Sequence, residues 1–124
     1  MTVRSLDMTT DAQRGSASIA SVPLPAAVPV VATSIARAGA GTRNSLAAAA
    51  AAAGDVDRLS GVLKVTGFVA CVPAFTGQPG VINGASELLA EIFGEAGQHA
   101  RSAVGVAVLP LDAPVEVEFL FEFH

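Results

Sequence analysis

The segment from Val115 to Phe123 reads Val-Glu-Val-Glu-Phe-Leu-Phe-Glu-Phe, with every odd position apolar and Glu116, Glu118 and Glu122 on even ones. A strict period of two marks a strand with one buried face. Such a strand cannot stand alone: it needs partner strands and an apolar cover. A cover is legible upstream. Val81, Ile82, Ala85, Leu88, Leu89, Ile92 and Phe93 share one helical stripe, with Glu87, Glu91 and Glu95 opposite. That spacing predicts a surface helix over 81–93 packed on a sheet. The glutamates, with no histidine beside them, read as a solvated face rather than a metal site.

Two further strands and a second helix complete the set. Leu59 to Cys71, rich in Val, Leu, Phe and Thr, predicts a buried strand. From Ser34 to Ala53 the sequence turns helical and ends in an alanine run capped by Gly54. Gly39 and Gly41 make a start near Thr42 equally defensible. In Arg101 to Val108, the bulky Val104, Val106 and Val108 alternate with Ala103, Gly105 and Ala107. The bare face invites close approach by a neighbour, read here as a second chain. A turn around Leu109 to Pro114 predicts an antiparallel hairpin with Arg101 opposite Glu122, Ala103 opposite Leu120 and Ala107 opposite Glu116. The corresponding bland role for Arg101 is to neutralise Glu122 at the strand end.

Residues 1–33 show no clear periodicity and carry Pro23, Pro25 and Pro29, so they read as an arm preceding a domain over 34–124. Ile19 to Ala32 is too short and too proline-broken to span a bilayer; Arg14 before it and Ala38-Gly39-Ala40 after it could suit a signal peptide, but the acidic start and the prolines fit one poorly. The expectation is a cytoplasmic protein without a membrane partner.

Composition limits the chemistry. With 52% hydrophobic and 15% charged residues, 124 residues suit one packed core. Residues 44–124 hold only Arg58, Lys64 and Arg101 against nine acids, so a phosphate backbone finds no basic stripe and nucleic acid is not an expected partner. Cys71 is the sole cysteine and reads as a small buried hydrophobe; with His99 and His124 as the only histidines, neither a disulfide nor a metal centre is expected. No cofactor motif is apparent. Scarcity makes Arg101 the cation whose position carries information.

The run Gly94-Glu95-Ala96-Gly97-Gln98-His99-Ala100-Arg101-Ser102-Ala103-Val104-Gly105-Val106, followed by Leu109-Pro110 and Val115-Glu116-Val117-Glu118, resembles the C-terminal signature of the RidA/YjgF family, also called endoribonuclease L-PSP-like. Asn44 to Ala47, Gly54-Asp55, Val65 to Val69 and Gln78 through Asn83-Gly84-Ala85-Ser86 to Gly94 are similar to one branch of it in the same order. The resemblance covers about residues 35–122. It implies an α+β, chorismate-mutase-like fold: a mixed sheet with two helices on one face, assembled as a homotrimer with clefts between subunits. It further implies that Arg101 holds the carboxylate of an enamine or imine derived from an amino acid, and that Glu116 serves the water that releases ammonia. Asn83 and Ala103 would line the same cleft, with Asn83 otherwise a helix-surface amide. A guanidinium grips a carboxylate bidentately, and a carboxylate in a dry cleft can move protons.

The family's first element is a hairpin with an aromatic residue and a Ser-Gly-Gln segment. Residues 1–33 hold neither Tyr nor that tripeptide, so the hairpin is expected to be lost or altered. Two readings follow: a deaminase of small reactive enamines or imines, or a noncatalytic small-molecule-binding or regulatory relative, inactive through its altered N-terminus.

Overall fold

The computed structural model describes residues 2–6 and 27–124. Its elements are strand β1 (Thr2–Leu6), helix α1 (Ala27–Ala53), strand β2 (Leu59–Ala70), helix α2 (Gln78–Phe93), strand β3 (Ala100–Val106) and strand β4 (Val115–Phe123). The sheet runs β1-β4-β2-β3, with β2 parallel to β3 and antiparallel to β4, which is in turn antiparallel to β1. This is the chorismate-mutase-like α+β architecture: a mixed sheet with both helices on one face.

The alternation of β4 does what its sequence dictates. Val115, Val117, Phe119 and Phe121 are buried beneath the helices, and Phe119 and Phe121 stack with ring centroids 5.5 Å apart. Opposite them on β2 lie Val65 and Val69, both wholly buried. From α2 the stripe contributes Val81, Ile82, Ala85 and Leu89 to the core, while Ile92 stays half exposed. Glu87, Glu91 and Glu95 face outward as expected.

Close approach of the two helices explains Gly39 of α1 and Gly84 of α2. A methyl group at Gly84 would overlap the backbone carbonyl of Ile35, and one at Gly39 would sit 3.3 Å from the Gly84 carbonyl oxygen. Helix α1 begins at Ala27, ahead of the expected Ser34, because Pro29 falls in its first turn, where the missing N–H has no intrahelical acceptor to lose. Gly54 closes it at φ 93°, its N–H donating to the Ala50 carbonyl at 2.9 Å. Arg58 then ties three ends together. Its Nε donates to the His124 carbonyl at 2.6 Å, its Nη1 donates to the Ala53 carbonyl at 2.8 Å, and the guanidinium lies 5.9 Å from the Phe123 ring centroid.

The boundary expected at Ser34 falls inside α1, and Thr2–Leu6 is a strand paired with β4 rather than part of an irregular arm. The remaining expectations for the arm, including the fate of its hairpin, fall on residues 7–26, outside the described residues. Among the described residues, no helix is long and apolar enough to cross a membrane.

The expected β3–β4 hairpin does not form. β2 lies between the two strands, so Arg101 pairs with Val65 and Ala103 with Gly67, while Glu116 pairs with Phe68 and Glu122 with Gly61. The connection instead passes the end of β2: Ala70 N–H donates to the Pro114 carbonyl and Cys71 N–H to the Val106 carbonyl, each at 3.0 Å. It turns through Leu111 and Asp112, at φ 56° and 57°. Strands consecutive in sequence are neighbours only about two-thirds of the time, and a long apolar strand such as β2 gains most by taking a partner on each edge.

Two substitutions test this packing by urea unfolding. Phe119→Ala is expected to cost about 3–5 kcal/mol, the range for emptying a fully buried aromatic site. Gly84→Ala is expected to cost about 1–3 kcal/mol, because the overlapping atom is backbone and cannot rotate aside. Wild-type stability in either variant would contradict the packing described.

Candidate functional site

The parallel pairing of β2 and β3 sets the site. A parallel pair needs a crossover, and here it is α2. The helix passes over the face of the sheet that carries Val65, Gly67 and Val69, and therefore over Arg101, Ala103 and Gly105 on β3. A methyl at Gly67 would collide with Ile82, and one at Gly105 would lie 2.8 Å from Gln78 Nε2 and 2.9 Å from Cys71 Sγ. The bare face of β3 thus meets α2 of its own chain. The neighbour expected from a second chain is, on this face, intramolecular.

Under that helix Arg101 finds its partners. Its Nη1 donates to Asn83 Oδ1 at 2.7 Å and to Ser86 Oγ at 3.2 Å. Asn83 and Ser86 stand three residues apart, on one face of α2. His99, two residues before Arg101, continues the network: its Nδ1 lies 2.6 Å from the Gly97 carbonyl oxygen and its Nε2 lies 3.0 Å from Ser86 Oγ. A carbonyl only accepts, so Nδ1 carries a proton. In the neutral ring Nε2 accepts, and Ser86 Oγ–H donates to it while receiving the bond from Arg101. Asn83 and Arg101 are exposed; Ser86 and His99 are half buried. The outcome is a guanidinium fixed on one nitrogen and open to solvent, beside a hydroxyl bonded to an imidazole.

The sequence-predicted residues fall into two groups. Arg101 and Asn83 come together directly, and Ala103 lies next along the same face of β3, packed against the core. Glu116 does not join them. Its register partner Phe68 is three residues from Val65, the partner of Arg101, which puts the two side chains on opposite faces of the sheet. Three residues along and two strands across place their Cα atoms about 14 Å apart. Glu116 has an interaction of its own.

Ser86 and His99 were not singled out from the sequence as site residues. The signal available was spacing: Asn83 with Ser86 at i, i+3 on a helix, and His99 with Arg101 at i, i+2 approaching a strand. A separate cleft of about 310 Å³, lined by Cys71, Phe75, Gln78 and Gly105, opens near the other end of α2. It lies four positions along β3 from Arg101, about 13 Å. Gln78 Nε2 donates there to the Phe75 carbonyl at 2.6 Å, and Cys71 is buried, as expected of a small core residue.

Comparison with known protein families matches residues 24–123 to the family described as "YjgF/chorismate mutase-like, putative endoribonuclease". Among solved structures, the chain is similar to the protein Atu1372, of unknown function, from Agrobacterium tumefaciens. Identity is 46% and the TM-score 0.73, covering 76% of this chain and 61% of that one. It is also similar to a "putative endoribonuclease" from Shewanella oneidensis MR-1, at 31% identity and TM-score 0.71, covering 75% of this chain and 62% of that one. Protein TCP17 of Trypanosoma cruzi is 53% identical over 75 residues, which are 60% of this chain and 47% of that protein. The chain therefore spans about half the length of this relative and under two-thirds of each solved one. Since the family match runs from just before α1 to the last residue of β4, with the Arg101 site inside it, the chain belongs to the YjgF/chorismate mutase-like family.

Proposed function

We propose that this protein binds small carboxylate metabolites at Arg101 and hydrolyses reactive enamines or imines of the 2-aminoacrylate type to a ketoacid and ammonia. The observation that carries the reading is the state of Arg101. Asn83 and Ser86 hold one nitrogen of an exposed guanidinium, so the rest of its donor fork can meet a carboxylate without first being ordered. Asn83 and Ala103 flank the bound ligand. In the reaction the enamine takes a proton at C3 to become an imine, water adds across the carbon–nitrogen double bond, and the carbon–nitrogen bond then breaks to release ammonia.

Glu116 sits on the wrong face to serve that water within one chain, so this reading requires another copy to bring it. The helix-free face of the sheet favours such assembly. It carries half-buried Phe68 and Leu120 together with Val104, which is 43% exposed, and β3 lies at the sheet's edge. In this reading a homotrimer packs that face of one copy against the β3 edge of the next, so that Glu116 comes near Arg101 at the rim. The separation of Arg101 and Glu116 also favours a second reading, carboxylate binding without turnover. The endoribonuclease of the family description is the weaker analogy, because residues 44–124 offer three cations against nine acids.

Ammonia release from freshly generated 2-aminoacrylate separates the two readings. The wild type is expected to accelerate it, and Arg101→Ala to lose about 10²-fold or more of the acceleration, in line with removing a charge-assisted anchor from a reacting substrate. Release by neither protein leaves the binding reading. Light scattering is expected to give three times the chain mass; a monomer would contradict the shared cleft.

A further inference from the structure

We propose that Ser86 is a nucleophile activated by His99, and that the Arg101 site carries a second activity, hydrolysis of short esters that bear a free carboxylate. The geometry has the parts that covalent catalysis by a serine requires: a hydroxyl in hydrogen-bond reach of a base, the base oriented by a third group, and a positive charge beside the reacting centre. Ser86 Oγ lies 3.0 Å from His99 Nε2. The Gly97 carbonyl, 2.6 Å from Nδ1, fixes the tautomer in which Nε2 is the free base. Arg101 Nη1, 3.2 Å from Ser86 Oγ, puts the positive charge of the guanidinium beside the reacting centre, where it would favour the oxyanion of a tetrahedral intermediate. Gly97 is itself buried, and a methyl there would collide with the Leu89 backbone, so the carbonyl that orients the imidazole is held by packing.

The step balances without any added cofactor. Ser86 Oγ forms a bond to the acyl carbon as the ester carbon–oxygen bond breaks; the hydroxyl proton passes to His99 Nε2 and then to the departing alkoxide. Water, giving a proton to the same nitrogen, attacks the acyl-serine; the acid leaves, and Ser86 recovers its proton from His99. The net reaction consumes one ester and one water and yields one acid and one alcohol. The choice of a carboxylate-bearing ester rests on the grip proposed for Arg101, whereas the nucleophile stands on the Ser86–His99–Gly97 geometry alone.

Labelling with a fluorophosphonate tests the nucleophile. Fluoride leaves as Ser86 Oγ bonds to phosphorus, and the adduct is read by intact mass and peptide mapping on the full chain. The expected result is one adduct on Ser86, none in Ser86→Ala, and labelling slowed about 100-fold or more in His99→Gln, the scale of a lost general base. Thermal melts of both variants are read alongside, and wild-type transitions show that the fold is kept. No adduct on Ser86 in the wild type, or equally fast labelling in His99→Gln, overturns the proposal. Hydrolysis of the p-nitrophenyl monoester of succinic acid, against p-nitrophenyl acetate, tests the substrate class. Arg101→Ala is expected to abolish any preference for the succinate ester. An unchanged preference, with Ser86 labelled, would keep the nucleophile and remove the carboxylate grip, and with it the proposed binding of small carboxylates at Arg101.

Discussion

Parallel pairing of β2 with β3 is the constraint on which the site depends. Two parallel strands cannot be joined by a tight turn, so the chain between them must cross a face of the sheet, and it does so as α2. The crossing is close because Gly67, Ala103 and Gly105 present almost no side chain beneath it. Only at Arg101 does a long side chain emerge on that face of β3, at the rim, where Asn83 and Ser86 of the same helix meet it. One topological requirement therefore produces both the buried core and the polar cluster at its edge.

Electrostatics gives that cluster its meaning. Its cation is one of three in a stretch with nine acids, so an anion diffusing over this part of the surface finds few competing attractors. Asn83 orders the guanidinium without adding charge, and Ser86 passes the network on to His99 without neutralising it. A carboxylate partner such as Glu122, the bland alternative read from the sequence, would have spent the positive charge internally. β2 intervenes instead and takes Glu122 opposite Gly61, two strands away from Arg101.

Much of this was legible in the chain itself, for reasons that differ between elements. The alternation of β4 was readable because one buried face forces a period of two, and the stripe of α2 because a helix on a sheet buries only one side. The alternation along β3 is also visible, but not its neighbour: sequence spacing shows which residues share a face, whereas strand order depends on pairing between distant segments. The same gap hid Ser86 and His99. Each looks ordinary alone, and they meet only once α2 is laid back across β3. The start of α1 is hidden because Pro29 looks like a helix breaker, although a first turn tolerates it, and because Gly39 looks costly until Gly84 is seen against it. Arg101 stands out by its rarity alone, and the role proposed for it comes from resemblance; neither requires the fold.

The central claim is that Arg101 is ordered and directed outward to receive a carboxylate. Nitrogen-15 NMR of the arginine side chains during titration with pyruvate observes this directly. The account expects the Arg101 guanidinium resonances to shift and its rotation to slow at saturation, with the Asn83 side-chain amide following. Unchanged Arg101 resonances, or a response confined to Arg37, Arg43 or Arg58, would contradict it.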